Sequence, residues 1–219
     1  MESSYFSVEQ SQRGAITKLI LANDATQMNW VIDPEYLASL HYHDEDKLFG
    51  EFHITVNGQQ FQSINVTPKI QQFNTQSQLI FPFENFKVIE NFILNGKALD
   101  WQIQVENLSS SELEVEDFGA WISLAYVMFR DKHVRRNANR SAAVFPSISP
   151  EYTKLAVVRR DNTVPNLGVY QTEGRVLSVG TYNEYTNRFF ENASPSLDGM
   201  LFHEFILAGG YQDDQRPPS

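Results

Sequence analysis

The chain has 219 residues, a formal net charge of −10 and no cysteine. A chain of this length can bury one continuous core without disulfides, and it has no thiolate ligands to offer a metal ion. The negative charge argues against a general nucleic-acid binder, and the lack of an 18-residue apolar run argues against a membrane span.

Short apolar runs separated by turn residues predict strands in the first half of the chain. The runs are residues 14–21, 28–32, 48–56, 60–66, 79–83 and 88–94. Two Asn-Gly pairs, at Asn57 and Gly58 and at Asn95 and Gly96, follow such runs. Asn-Gly is the strongest short signal for a β-hairpin, because both residues tolerate a positive φ.

Residues 99–128 carry the clearest pattern. Apolar residues alternate with polar ones at Leu99, Trp101, Ile103 and Val105, which is the period of a half-buried strand. In the next run, Asp117 shares one face with Leu113 and Val115. Because a carboxylate on an apolar face is costly without a partner, Asp117 is predicted to accept backbone hydrogen bonds or to pair with an arginine.

The second half continues the pattern and sets the predicted fold. Further strands are predicted at residues 121–128, 154–159, 168–171, 176–182 and 201–207, and irregular structure at 130–150 and 186–199. No segment keeps a 3.6-residue period over ten residues. The sequence therefore predicts an all-β fold, one large antiparallel β-sandwich over residues 1–212 with little helix.

The two ends of the chain carry expectations about its context. Residues 213–219 are polar and rich in proline, and we expect them to begin a linker to a downstream domain. The first residues lack the basic and apolar regions of a signal peptide. We therefore expect a cytoplasmic protein, or an extracellular or cell-surface one if a signal has been removed.

A basic segment at residues 130–140 is unusual in so acidic a chain, since it holds five of the 17 Lys and Arg residues. Arginine recognises carboxylates through paired hydrogen bonds and stacks on flat groups. We predict that His133, Arg135, Arg136 and Arg140 bind substrate or face a neighbouring catalytic domain. The alternative is a solvated loop, or one held by the protein's own acidic residues.

Two tryptophans are the other candidates for substrate binding, because a flat aromatic ring can stack on the apolar face of a sugar. Trp121 follows Phe118 and Gly119 at the start of a strand, and Trp30 lies in a short segment flanked by turn residues. Both are predicted to line a groove. Core packing is the alternative for each of them, and Trp101 is assigned to the core.

A metal site is considered at His41 and His43, which would share one face of a strand and precede three acidic residues. No third histidine is near in sequence, and consecutive carboxylates usually mark a turn. We therefore predict no metal and no cofactor. Nucleophile-elbow, zinc-protease and phosphate-loop motifs are also missing, so the residues alone name no reaction and no catalytic residue.

The pattern Trp101-x-Ile-x-Val-x-Asn107, followed by Leu113-x-Val-x-Asp117-x-Gly119, resembles the galactose-mutarotase-like β-supersandwich. This domain precedes a helical catalytic domain in many bacterial glycoside hydrolases. The opening strands, Gly14-Ala-Ile-Thr-x-Leu19 and Met28-Asn-Trp-Val31, are similar to an uncharacterised branch of the group. Free-standing mutarotases use a His and a Glu as acid and base, but no His-bearing motif here matches theirs, so no catalytic residue is transferred.

The resemblance implies a carbohydrate-handling module that is not catalytic alone. It would be the N-terminal domain of a glycoside hydrolase, which scaffolds a helical catalytic domain of the same polypeptide and lines part of its cleft. The implied partners are a carbohydrate and that downstream catalytic domain. Two alternatives stay open: a free-standing sugar epimerase or mutarotase, and a non-catalytic carbohydrate-binding or interaction module.

Overall fold

The computed structural model describes residues 1–39, 41–125, 141–148, 153–183, 186–191 and 201–209. This part of the chain is mostly β-structure, with one short α-helix, α1 (Pro34–Ser39), and two 3-10 turns at Glu45–Lys47 and Ser63–Asn65. The predicted all-β antiparallel fold with little helix is therefore confirmed. Within the described ranges, no helix has the length and apolar character needed to cross a lipid bilayer.

The described residues form fifteen strands. They are β1 (Phe6–Gln10), β2 (Ile16–Leu21), β3 (Phe52–Val56), β4 (Gln59–Gln62), β5 (Lys69–Gln72), β6 (Gln76–Pro82), β7 (Phe86–Asn95), β8 (Ala98–Asn107), β9 (Val115–Trp121), β10 (Ala142–Ile148), β11 (Thr153–Arg159), β12 (Leu167–Tyr170), β13 (Ser178–Asn183), β14 (Arg188–Glu191) and β15 (Leu201–Ala208). The two Asn-Gly pairs join β3 to β4 and β7 to β8, as predicted. At the first of them, Asn57 and Gly58 have φ values of 50° and 75°.

The strands pair into four antiparallel sheets. The largest has six strands in the order β14-β13-β15-β9-β3-β4, and the next has four in the order β5-β6-β7-β8. A three-stranded sheet, β10-β11-β12, and the hairpin β1-β2 complete the set. In the six-stranded sheet, β3 pairs with β9 and β9 with β15, so segments that are far apart in sequence lie side by side.

The main core contains the inward-facing side chains of the six-stranded and four-stranded sheets. Phe52 of β3 packs edge-on against Phe81 of β6, with 4.9 Å between ring centroids. Every second residue of β7 from Phe86 to Leu94 is buried, as its alternating sequence predicts. Trp101 stacks on Phe92 and packs against this core, which confirms its assignment.

The opposite face of the six-stranded sheet carries a second apolar cluster. Trp121, Tyr182, Phe202 and Ile206 contribute to it from the sheet, and Leu37 of α1 belongs to the same cluster. We call this surface the outer face of the large sheet. The helix therefore covers part of a sheet that is apolar on both sides, and this arrangement surrounds the candidate site described below.

Several predicted segments differ from the structure. Of the strand predicted at residues 121–128, only Trp121 is in a strand, the end of β9, and residues 126–128 lie outside the described residues. Residues 188–191, within a stretch predicted to be irregular, form β14.

Residues 28–32 are not a strand, because only an isolated bridge between Val31 and Leu124 pairs them. Residues 142–148, which fall within a stretch predicted to be irregular, form β10. Pro146 weakens the sequence signal for a strand, but β10 pairs only with β11 in its sheet, and an edge strand tolerates proline.

A buried ion pair joins the turn after β2 to the end of β11. The guanidinium Nη2 of Arg159 donates to Asp24 Oδ2 at 2.5 Å, and both side chains are 1% exposed. Asp24 also accepts hydrogen bonds from the backbone N–H groups of Thr26 and Met28. One carboxylate thus holds its own turn in shape and connects it to the three-stranded sheet.

Candidate functional site

Three ionisable side chains meet on the outer face of the large sheet. His53 is on β3, Asp117 on β9 and Glu204 on β15. The residues on either side of His53, Phe52 and Ile54, point into the main core, so the histidine points the other way. Because the three strands are neighbours, these side chains contact each other, and we call them the acid–histidine cluster.

The imidazole of His53 lies between two carboxyl groups. Its Nε2 atom contacts a carboxylate oxygen of Glu204, and its Nδ1 atom lies 3.4 Å from Asp117 Oδ2. The side chains of His53 and Glu204 are 4% and 1% exposed, whereas that of Asp117 is 26% exposed. Solvent therefore reaches this cluster through Asp117.

Gly119 of β9 provides the space for the contact between His53 and Glu204. It pairs with His53 across the sheet on one side and with Ile206 on the other. A Cβ atom at this position would overlap both the Glu204 carboxylate and the Nε2 atom of His53. The cluster therefore depends on a glycine whose role is steric.

Asp117 faces His53, whereas the predicted partners were backbone N–H groups or an arginine, and its side chain lies on the opposite side of the sheet from the predicted one. The register between β3 and β9 shifts, so that Val56 pairs with Val115 and Thr55 pairs with Asp117. The extra residue, Glu116, makes a β-bulge, which interrupts the alternation of side chains. Val115 packs against the core, while Asp117 turns outward to His53.

Lys47 lies on the same outer face among aromatic rings. Its Nζ atom is 4.9 Å from the ring centroid of Tyr182 and 6.0 Å from that of Trp121. The same nitrogen is 3.1 Å from carboxylate oxygens of Asp44 and Asp46. Burial raises the pKa of Asp46, although the charge of Lys47 opposes the shift.

His203 is adjacent to Glu204 in sequence but does not belong to the acid–histidine cluster. Neighbouring residues of a strand point to opposite faces, so the His203 side chain points toward the main core. It is 1% exposed, and burial lowers the pKa of its imidazole to about 4. His203 is therefore neutral at neutral pH.

A histidine held between two carboxyl groups can store a proton or pass one on, which is the chemistry of a general acid or base. In this cluster the exposed member, Asp117, is the group that an external molecule would meet first. Across the ranges that the structure describes, no group of three or more His, Cys, Asp or Glu side chains could hold a metal ion.

Trp30 and Trp121 lie inside the protein and not in an open groove. Trp30 is 0% exposed, with the guanidinium carbon of Arg159 5.6 Å from its ring centroid, and Trp121 is 1% exposed. A backbone hydrogen bond from Ala125 to the Trp30 carbonyl holds that segment against the sheet. The expectation that these rings line a groove does not hold, and both match the alternative of core packing.

The remaining predicted site residues have different outcomes. His133, Arg135, Arg136 and Arg140 lie outside the described residues, so their binding role stays a prediction. His41 and His43 are exposed and lie in the turn after α1, where His41 has a φ of 64°. The predicted strand there is wrong, because the helix ends at residue 39 and the chain turns.

The sequence offered little to identify His53 and Glu204. His53 is a polar residue on a strand that alternates, so its outward orientation was predictable but its partner was not. Glu204 is 151 residues further along the chain. Only the pairing order of the strands brings the two together.

We expect Gly119→Ala to lower the free energy of unfolding by about 1–3 kcal/mol, because the added methyl group must displace the Glu204 carboxylate or the His53 ring. Urea unfolding of the variant measures this. Gly168→Ala is the matched control, since Gly168 is also on a strand and a Cβ there meets no atom of the described residues within 4 Å. Equal losses in the two variants would show that space at residue 119 is not limiting.

Comparison with known proteins gives a match in structure only. No protein-family profile and no curated protein matches the sequence. A solved structure of a polysaccharide lyase is similar to this chain, with a TM-score of 0.71 and 15% sequence identity. The match covers 96% of this chain and 33% of the lyase chain, so this chain spans about a third of the lyase's length. It thus shares a β-rich fold with part of a polysaccharide lyase.

Proposed function

We propose that this chain is a carbohydrate-handling β-sandwich module of a larger enzyme that degrades polysaccharides. The observation that carries this proposal is the structural match of nearly the whole chain to one third of a polysaccharide lyase. The resemblance of the Trp101–Gly119 pattern to supersandwich domains of glycoside hydrolases also supports it. The ligand class that these two likenesses have in common is carbohydrate.

In this proposal the module scaffolds a helical catalytic domain of the same polypeptide and lines one rim of its cleft. The burial of His53 and Glu204 suits a supporting role, because a substrate cannot contact both groups without rearrangement. Arg135 and Arg136 would face the catalytic domain or the glycan. Whether the complete enzyme is hydrolytic or lytic would then depend on groups in the other domain.

A free-standing epimerase or mutarotase is the second candidate, and one observation favours it. The contact between His53 and Glu204 brings together the two residue types that mutarotases use as acid and base. Their low exposure, 4% and 1%, weighs against direct contact with a sugar. A purely carbohydrate-binding module is a third reading, and it shares the ligand class of the main proposal.

Three measurements on the purified chain distinguish these functions. Polarimetry of freshly dissolved sugars reports mutarotation, product analysis reports cleavage of oligosaccharides, and electrophoresis in polysaccharide-containing gels reports binding. We expect retardation in the gels without cleavage or faster mutarotation. Turnover that is lost in His53→Gln would favour the epimerase instead. Without turnover and without retardation by any polysaccharide, the carbohydrate assignment would be wrong.

A further inference from the structure

The strand β8 forms one end of the four-stranded sheet and is ten residues long. It pairs with β7 along its whole length, from Ala98 to Asn107, without a shift in register. On its other side, no strand of the described ranges pairs with it. β8 is therefore a long and regular edge, which is the kind of edge that a further strand can extend.

A neighbouring hydrogen bond shows which backbone groups of β8 point away from β7. The N–H of Leu108 donates to the carbonyl of Asn85, which leads into β7, so the even-numbered residues of β8 face β7. Successive residues of an antiparallel strand direct their N–H and C=O groups to opposite sides. The open edge is therefore formed by the odd-numbered residues Leu99, Trp101, Ile103 and Val105. Among the residues that the structure describes, none makes a hydrogen bond to these backbone groups.

The side chains of the same four residues point into the sandwich, but they are only partly buried there. Their neighbours on β7, such as Val88 and Phe92, are 0% exposed. A strand added beside β8 would cover the parts that β7 leaves exposed. The open edge thus offers apolar contacts as well as hydrogen bonds.

The other ends of the three larger sheets carry features that usually prevent edge pairing. β4, β5, β12 and β14 have only four residues each, and β10 contains Pro146. Short edge strands and prolines are common protective features. β8 has neither of them, and its ten residues include no lysine or arginine.

The outer face of the four-stranded sheet shows which partner fits this edge. A row of amide side chains crosses it from β5 to β8, with Gln71, Gln78, Asn91 and Gln102 paired in that order. The Gln78 amide donates to Asn91 Oδ1 at 2.9 Å. The row ends at the open edge with Gln102, which is exposed. A second copy of β8 would continue the row with an amide of its own.

Antiparallel pairing of two β8 strands about Gln102 suits both the backbone and the charges. Odd-numbered residues then meet odd-numbered residues of the copy, so the outward N–H and C=O groups can bond to each other. On the outer face, Gln102 lies opposite Gln102 of the copy. Asp100 lies opposite Gln104 of the copy, whose amide can donate to the carboxylate.

The neighbouring register fits less well. If the twofold axis were one residue further along the strand, Asp100 would lie opposite Glu106 of the copy, and like charges directly opposite each other destabilise a sheet. In the register about Gln102, Glu106 lies opposite Ala98 and keeps its ion pair with Lys87, whose Nζ atom is 2.9 Å away. The charges of β8 therefore favour pairing about Gln102.

We propose that the open edge of β8 binds the same edge of a second copy of the chain, so that two four-stranded sheets join into one continuous sheet. Because this pairing uses the open β8 edge of both copies, assembly stops at a twofold dimer. One pair of strands makes a small interface, and we therefore expect a reversible dimer with a micromolar dissociation constant. This inference concerns a protein partner and does not depend on the proposed carbohydrate function.

Sedimentation velocity of the purified chain over a range of concentrations tests for the dimer. We expect a monomer–dimer equilibrium that Gln102→Glu weakens about fivefold, because this variant places two carboxylates opposite each other at the twofold axis. Gln71→Glu is the matched control and should change nothing, since Gln71 is an exposed glutamine at the other end of the same amide row. An equimolar mixture of Gln102→Glu and Gln102→Lys should dimerise more strongly than either variant alone.

Disulfide formation tests the register, because the chain has no cysteine and each substitution adds a single thiol. At the axis, the two Cα atoms would form a pair without backbone hydrogen bonds, about 4.5 Å apart, which a disulfide can bridge. Gln102→Cys should therefore give a covalent dimer on mild oxidation. Gln104→Cys should not, because its two copies would be roughly 14 Å apart along the strands. Gln71→Cys is the control for random collisions.

Four outcomes would contradict the proposal. A monomer at every concentration would mean that the edge does not pair with itself, and a dimer that Gln102→Glu leaves unchanged would have its interface elsewhere. Cross-linking of Gln104→Cys but not of Gln102→Cys would contradict the register. Equal cross-linking of all three cysteine variants would show collision without a specific interface. Melting temperatures show that each variant is folded.

Discussion

Replacing Asp24 by asparagine is expected to lower the free energy of unfolding by about 3–5 kcal/mol, the usual cost of leaving one member of a buried ion pair without its partner. The Arg159 guanidinium would remain buried against Trp30 without a carboxylate to offset its charge. Urea unfolding at neutral pH measures the loss.

Asp161→Asn is the matched control for this experiment. Asp161 accepts the same pair of hydrogen bonds, from the backbone N–H and the hydroxyl of Thr163, that Asp24 accepts from Thr26. It is exposed, however, and among the described residues no arginine forms an ion pair with it as Arg159 does with Asp24. We expect a much smaller change there. Similar losses in both variants would mean that the turn, and not the ion pair, supplies the stability.

Because of this ion pair, we also expect the stability of the protein to depend on pH under acidic conditions. Burial alone would raise the pKa of Asp24, but hydrogen bonds from Arg159, Thr26 and the Met28 N–H lower it to about 2. A carboxyl group with a depressed folded-state pKa stabilises the protein above its unfolded-state pKa of about 3.9, and this contribution is lost as the pH falls toward 2. The difference in free energy of unfolding between the unmodified chain and Asp24→Asn should therefore shrink as the pH falls from about 3.9 toward 2.

Glu90→Gln is expected to change the pH dependence of stability in the opposite direction. Glu90 occupies a core position of β7 and is 0% exposed. Burial and the charge of Glu51 raise its pKa well above the ordinary value, and the neighbouring Trp101 opposes this only in part. Burial therefore favours the neutral, protonated form of Glu90.

The sign follows from that raised pKa. A neutral Glu90 makes its full contribution to the free energy of unfolding below the unfolded-state pKa of about 4.3. This contribution is lost as the pH rises from that value through the folded-state pKa. In that interval the unmodified chain should lose stability relative to Glu90→Gln by about 1.4 kcal/mol per pH unit. Urea unfolding across this pH range tests it, with Glu112→Gln, at an exposed position, as the control. A constant difference between Glu90→Gln and the unmodified chain would contradict a neutral Glu90.

Local sequence patterns predicted the hairpins and most of the strands. In β7 and β8 the alternation of side chains and the turn at Asn95 and Gly96 are all contained within twenty-two residues, from Phe86 to Asn107. Such signals are local, so the sequence shows them directly. The strand β10 was missed because Pro146 obscures it, and only its place at a sheet edge makes it possible.

The candidate site required information that is not local. His53, Asp117 and Glu204 meet because β3, β9 and β15 are adjacent, and no spacing within the sequence specifies that order. The bulge at Glu116 inverts the face on which Asp117 lies, so counting by twos from Leu113 gives the wrong side. Trp30 was misjudged for a similar reason, because a residue flanked by turns can still be enclosed by distant segments.

The strand order of the large sheet has a consequence for how the protein folds during its synthesis. β15 is the last described strand in the chain, yet it is inserted between β13 and β9. While the ribosome is still making residues 201–208, both neighbours have an open edge, and open edges attract other strands. The contact between His53 and Glu204 also cannot form until β15 has been synthesised. The large sheet is therefore expected to close late and slowly. Chains that end before β15 are expected to aggregate or to bind chaperones.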